Sequence, residues 1–328
     1  MVIWPVALGI VEASLVLAFF AACWRGFAGA SRKVRLARSV ALTALSYPVW
    51  FALDRANLEV FVFAVSWAAV ETFRARRLDA SAALLGLAVA LKPFPAALLL
   101  LFVAERRWRG VAIAAVVAVA LTAASRVYLV RFTPFDYAPF ADATRRYVEH
   151  YVYGNDGFAF GHSAFGLVKT VVCKLSPSVR VPGRPAGDAT LAALVLPYQV
   201  LAGLVALGLA AWAWRARPEP WRIVTAACCA VSLLPVVSAD YRLLNFVIPA
   251  MLFVRDAPPS RRDALWVLLF AALLSPRAYD HYVFERLCHV RAYEVTSAAV
   301  TSPLLLTALL VLAVAAPSRR PSPGPATP

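Results

Sequence analysis

Long apolar runs separated by short polar breaks recur along nearly the whole chain. The breaks are of two kinds, and they alternate. One kind is arginine-rich and covers residues 32–38, 74–77, 106–109, 215–222 and 255–262. The other kind is short and mixed: Asp54-Arg55-Ala56-Asn57-Leu58-Glu59, then Lys92-Pro93, then Ser238-Ala239-Asp240-Tyr241-Arg242. Basic connections mark the cytoplasmic side of a membrane protein. The three mixed breaks therefore form the tips of apolar hairpins that point to the opposite side. Ionisable groups gathered at one membrane depth are costly, and they are functional candidates for that reason.

The same pattern predicts the elements. Residues 2–24 run inward and end at a basic loop, 25–38, and residues 39–53 return outward. Residues 58–73 go in, 80–91 go out, and 94–104 come back to Glu105-Arg106-Arg107. As helices, the last two pieces are about 16–18 Å long, against roughly 30 Å of hydrocarbon. A single span over 80–104 would put two basic clusters on opposite faces. Pro93-Phe94-Pro95 also favours a turn, so a broken hairpin is the expected form. Residues 110–130 go outward into a long aromatic-rich region, 131–188, with a short apolar helix at 164–172. Such a region is expected to be an ordered interfacial layer on the outer side. Residues 189–214 run inward, and 221–237 with 243–254 make the third hairpin. Residues 264–275 go out, 276–294 are external, and 296–315 return. The Pro/Ser-rich tail 317–328 reads as disordered and cytoplasmic. The fold class is thus all-α: one polytopic transmembrane helix bundle over residues 1–316, with broken or re-entrant short helices and an outward-facing cavity.

Composition agrees with this reading. The chain is 62% hydrophobic, with mean hydropathy +0.70, which excludes an ordinary soluble globule. The formal charge of +15 would point to nucleic acid in a soluble protein. Here the excess lies in the alternate connections, as orientation in a membrane requires. Nucleic acid is therefore not an expected partner, whereas membrane lipids are. Residues 2–24 lack a basic lead and a small-residue cleavage site, so they read as a span and not a signal peptide. Cys228 and Cys229 read as buried packing residues. Cys173 and Cys288 fall on the outer side, where a disulfide is allowed.

The mixed tips carry the candidate chemistry. Asp54, Arg55, Asn57 and Glu59 share one turn, which is suited to a hydroxyl-rich or anionic ligand: carboxylates hold or deprotonate hydroxyls, and Arg55 holds phosphate oxygens. The alternative is an ordinary interfacial loop. Lys92 has no acidic neighbour in sequence, so it needs a distant carboxylate, a bound anion, or a path to snorkel outward. Asp240, Tyr241 and Arg242 form either a structural ion pair or a base beside a phosphate clamp. His162 precedes the short apolar helix that Ser163 can cap, and it is a base near neutral pH or a hydrogen-bonded structural residue. The four histidines lack ligand spacing, so neither a metal nor another cofactor is expected.

With these residues in view, the chain resembles the GT-C membrane glycosyltransferases, specifically the family 87 mannosyltransferase relatives. The resemblance rests on Asp54-Arg55-Ala56-Asn57, on Gly86-Leu87-Ala88-Val89-Ala90-Leu91-Lys92-Pro93-Phe94-Pro95, and on Arg106-Arg107-Trp108. It also rests on Gly161-His162-Ser163-Ala164-Phe165-Gly166 and Ser238-Ala239-Asp240-Tyr241-Arg242-Leu243. It implies a multi-pass protein of the plasma (inner) membrane. The reaction implied is inverting transfer of a hexose, with mannose the family precedent, from a polyprenyl-phosphate donor to a lipid or glycan acceptor on the outer face. Asp54, Glu59, Asp240 or His162 would supply the base. Lys92, Arg55 and Arg242 would hold the donor phosphate, and Asn57, Tyr241 and Ser163 would contact substrate. Enzymes of this kind carry a first external loop with a catalytic Asp after an N-terminal span. No external Asp precedes Asp54, so either the chain lacks that span and loop and is inactive in this form, or the base has moved to Asp54, Glu59 or Asp240. Two other readings share the pattern: a transporter or flippase of lipid-linked sugars, and a non-catalytic membrane partner with the same fold.

Overall fold

The structure, a computed structural model, describes residues 3–54, 57–133, 137–153, 162–175, 188–257, 263–275, 286–290 and 293–315. The chain forms a helical bundle of the membrane type. In order come α1 (Ile3–Gly26), α2 (Arg32–Leu45), α3 (Tyr47–Asp54), α4 (Glu59–Arg74) and α5 (Leu78–Leu91). A 3-10 turn, Phe94–Leu99, leads into α6 (Leu100–Ala104) and α7 (Trp108–Phe132). Next are α8 (Tyr137–Tyr147), a π turn (Val148–Tyr153), α9 (Ala164–Leu175), α10 (Asp188–Ala216) and α11 (Pro220–Leu233). A second 3-10 turn, Asp240–Phe246, precedes α12 (Val247–Asp256) and α13 (Asp263–Leu274), and α14 (Ser297–Ala315) closes the bundle. Outside the helices lies one short antiparallel pair, β1 (Arg286–Val290) with β2 (Tyr293–Thr296), within the segment read from sequence as an external loop. The tail 317–328 and the side chains of Cys173 and Cys288 lie outside the described residues.

Among the described residues, two helices are long and apolar enough to cross a membrane, Trp108–Phe132 and Leu191–Ala216. Both are strongly apolar, and only 6% of each span is fully buried inside the protein, which leaves apolar surface for a lipid solvent. A third candidate is the pair Arg32–Leu45 and Tyr47–Leu53, bent by 54°. The sequence reading placed residues 25–38 in a loop, but α2 already begins at Arg32. The bend has a local cause. Ser46 is extended, and Pro48 in the first turn of α3 has no N–H with which to continue the ladder of α2.

The second break has the same origin. Pro93 disfavours helical backbone at the preceding residue, and Lys92 is extended, with φ −150° and ψ 139°. Its side chain thereby leaves the axis of α5 at the tip. The chain returns through the 3-10 turn and α6 to Glu105. Arg76 and Glu105 then meet at 2.7 Å, so the connections after α4 and after α6 lie at the same end. That is the broken hairpin, and it excludes a straight span over 80–104.

Packing is closest where side chains are smallest. A Cβ on Gly86 of α5 would come within 2.6 Å of the Ala114 carbonyl of α7, and one on Gly110 within 2.2 Å of the Phe102 ring. Small residues of this kind let membrane helices approach. α11 is the central helix, with every residue from Trp221 to Ala230 buried. Its Arg222 is 2% exposed and donates to the terminal carbonyls of α14, Nε to Ala313 at 2.8 Å and Nη2 to Val314 at 3.3 Å. A cation thus satisfies orphan carbonyls at a helix C-terminus. The same end holds Glu71 with Arg74 and Arg255, Arg74 with Asp256, and Arg109 with Asp79. Helix continuity from Glu59 to Arg74 puts the first mixed tip at the opposite end.

Candidate active site

The three mixed tips, far apart in sequence, converge at that opposite end. The first supplies Asn57 and Glu59. The Asn57 amide N–H donates to Ala52 at 2.8 Å, which folds the turn back. Asn57 Oδ1 then accepts the Glu59 amide N–H at 3.0 Å and Lys92 Nζ at 2.7 Å. Glu59, in the first turn of α4, lies where the helix dipole favours a negative charge. It is fully buried, and both carboxylate oxygens are engaged. Oε2 accepts from Lys92 Nζ at 2.8 Å and Oε1 from Asn245 Nδ2 at 2.6 Å. Of the alternatives open for Lys92, the structure supplies the distant carboxylate. Its ammonium also lies 4.8 Å from the centre of the Tyr241 ring.

The third tip contributes two distinct groups. Asp240 and Arg242 do not pair with each other, which removes the structural ion pair between them. The 3-10 turn sends the two side chains in different directions. Asp240 is buried; its Oδ2 accepts from the Tyr47 hydroxyl at 2.5 Å, and its Oδ1 meets His162 Nε2. Arg242 donates from Nη1 to the Val231 carbonyl at 3.1 Å and lies 5.9 Å from the Phe94 ring centre. Among the described residues it makes no ion pair. Its positive charge reaches Glu59 electrostatically, and it acts on Tyr147. Burial pushes the Tyr147 hydroxyl above its ordinary range, and Arg242 pulls it partly back. The aromatic outer layer thus comes up to Arg242. Tyr147 stacks on Tyr151, with ring centres 4.8 Å apart, at a π turn of the kind that often accompanies functional sites.

The His162 segment fastens that layer to the third tip. The His162 amide donates to the Ser238 carbonyl at 3.0 Å, and the Ser163 hydroxyl donates to Val236 at 3.0 Å. Ser163 Oγ also accepts the Gly166 amide at 3.0 Å, which is the expected cap on α9. Of the residues singled out from sequence, Asn57, Glu59, Lys92, Tyr241 and Arg242 form one cluster, and Asp240 with His162 and Ser163 forms its neighbour. Asp54 ends α3, which packs along the Asp240–Phe246 turn; its side chain, and Arg55 entirely, lie outside the described residues.

Sequence reasoning missed Tyr47 and Asn245. Each had a signal. Tyr47 is a phenol within an apolar run, and a buried hydroxyl needs a partner. Asn245 is a lone amide among apolar residues, three positions after Arg242, whose carbonyl it also binds at 3.2 Å.

The arrangement offers a neutralised Lys–Glu pair, an arginine that makes no ion pair among the described residues, and a buried Asp–His–Tyr group, all at one end of an apolar bundle. No curated protein and no solved structure matches the chain. The model of glycosyltransferase family 87 matches residues 1–239, a stretch that includes the first two tips and His162 and ends one residue before Asp240. The chain belongs to glycosyltransferase family 87 and is a membrane glycosyltransferase.

Proposed function

We propose that this protein transfers a hexose from a polyprenyl-phosphate donor to a lipid or glycan acceptor, on the side of the plasma membrane opposite its basic connections. The convergence of three distant polar tips at one end of an apolar bundle carries the reading. A lipid-linked donor reaches such a site laterally from the bilayer, with its phosphate at the depth of the tips and its sugar toward water in an outward-facing cavity.

The step is a direct displacement. The acceptor hydroxyl oxygen bonds to the anomeric carbon as the bond from that carbon to the lipid phosphate oxygen breaks. The hydroxyl proton passes to a carboxylate, and polyprenyl phosphate leaves with the bonding pair. Arg242 is the phosphate ligand in this reading, because among the described residues it makes no ion pair and its guanidinium donates to a backbone carbonyl. Charge developing on the leaving phosphate is stabilised by such a preoriented donor. Lys92 adds positive potential at the edge, and its direct partners are Glu59 and Asn57. Both oxygens of Glu59 and of Asp240 are committed to hydrogen bonds. We therefore assign those two carboxylates to positioning, with His162 holding Asp240, and assign the base to Asp54 at the end of α3. Tyr241 and Tyr147 flank Arg242 and would wall the sugar. Asn57 and Ser163 are occupied in turns and caps and act on the substrate only through the backbone they hold.

The test is donor use by purified protein in nanodiscs. Polyprenyl-phosphate hexose should be consumed, with release of polyprenyl phosphate, and Asp54→Asn should abolish release. Turnover with a nucleotide sugar and none with the lipid-linked donor would contradict the proposal.

A further inference from the structure

The basic end of the bundle contains a cavity of about 370 Å³ between the connection after α4, the end of α6 and the connection from α10 to α11. Its walls are apolar and buried, with Phe73, Leu101 and Ile223 each 2% exposed. Its polar lining is Arg76, Glu105 and Arg217. Two guanidinium groups thus face one carboxylate. That carboxylate is already taken, since both Glu105 oxygens lie 2.7 Å from Arg76 Nη1. Among the described residues Arg217 makes no ion pair, and its side chain is exposed.

The backbone at both arginines is unusual. Arg76 has φ 61° and Arg217 φ 44°. These are helix-terminating positions in the left-handed region, where glycine carries no steric penalty. The Arg76 turn closes with Arg77 N–H on the Thr72 carbonyl at 2.9 Å, and the Arg217 amide donates to Ala213 at 3.1 Å. Either turn would form more readily with glycine. The arginine side chains are therefore not there for the turn. Beside the cavity, the Arg106 guanidinium lies 4.7 Å from the Trp214 ring centre, and Trp108 packs on Trp214 at 5.1 Å. Tryptophans beside cations are the arrangement found at a membrane–water boundary.

We propose that this cavity binds the headgroup of an anionic phospholipid, with the phosphate on Arg217 and Arg76. The surplus cation fits the phosphate, and the neighbouring Trp108 and Trp214 mark the boundary at which such a lipid lies. Basic pockets between helices at the cytoplasmic side are suited to that chemistry. The site lies at the opposite end of the bundle from the sugar-transfer residues and is independent of their assignment.

The test uses the full chain, delipidated in detergent and titrated with short-chain phosphatidylglycerol, with phosphatidylcholine of the same chain length, and with inorganic phosphate. Wild-type protein should bind phosphatidylglycerol in preference to phosphatidylcholine, and inorganic phosphate should not displace it at equal concentration. Arg217→Gly removes one cation while relaxing the left-handed backbone. It should weaken phosphatidylglycerol binding about fivefold, the effect of one basic residue at an anionic surface, with lipid-free thermal stability unchanged or raised. Glu105→Gln frees Arg76 and should tighten binding. Equal binding by Arg217→Gly and wild type would overturn the proposal, as would displacement by free phosphate. A fall in the lipid-free stability of Arg217→Gly would assign Arg217 a structural role and overturn it too.

Discussion

The two ends of the bundle use charge in different ways. At the mixed-tip end, charged groups are few and buried, and they are bonded across long sequence distances. Glu59 is 0% exposed, and Asp240 and His162 are nearly so. At the basic end the pairs are more numerous and run from partly buried to open, with Arg255 17% exposed, Arg76 70% and Arg109 81%. Physical chemistry ranks the two ends differently. A buried pair contributes little net stability relative to apolar residues, but breaking it strands a charge and costs several kcal/mol. An exposed pair contributes little either way. The mixed-tip end is therefore a set of mutually dependent buried residues, whereas most pairs at the basic end reach solvent and orient the chain. A protein that only needed orientation would have no use for the first.

That contrast can be broken or sharpened by substitution, from the largest effect to the smallest. Lys92→Met leaves Glu59 buried without its cation and should lower unfolding stability by about 3–5 kcal/mol, read by denaturant or thermal unfolding in micelles. Adding Glu59→Gln should recover most of the loss; a double variant as unstable as the single one would show that Lys92 does not act through Glu59. Asp240→Ala removes the acceptor of both Tyr47 and His162 and should cost about 3 kcal/mol by the same measurement, with protection of the amides near His162 lost in hydrogen exchange. Ser163→Ala removes the cap of α9 and should cost about 1 kcal/mol. Arg109→Ala, which breaks a pair at the basic end, should cost less than about 0.5 kcal/mol. A loss at Arg109 as large as that at Lys92 would erase the difference between the ends.

Much of this was legible in the sequence, for identifiable reasons. The tips could be found because ionisable residues interrupt apolar runs, and their common side followed from the arginine clusters. Pro93 announced the break that turns Lys92 out of its helix, and Pro48 marks a comparable break that the run of apolar residues hid. Partner choice was not legible. Lys92 could reach a carboxylate on either other tip, and only the packing of α4 against α5 selects Glu59. Asp240 and Arg242 are two apart, which looks like an ion pair. The 3-10 geometry separates them, and Asp240 turns to Tyr47, a residue 193 positions away. The start of α2 was misread because its arginines looked like a loop; cations in the first turns of a helix give the same composition.

The central claim is that the mixed-tip end holds the donor phosphate and that Arg242 is its ligand. The most direct measurement is the thermal shift of the protein on adding polyprenyl-phosphate hexose, compared between wild type and Arg242→Gln. A ligand that binds only the folded protein raises its apparent stability in proportion to the logarithm of one plus the ratio of its concentration to its Kd. The account predicts a clear upward shift for wild type and its loss in Arg242→Gln, with the lipid-free midpoints of the two differing little. An equal shift in both proteins would contradict it.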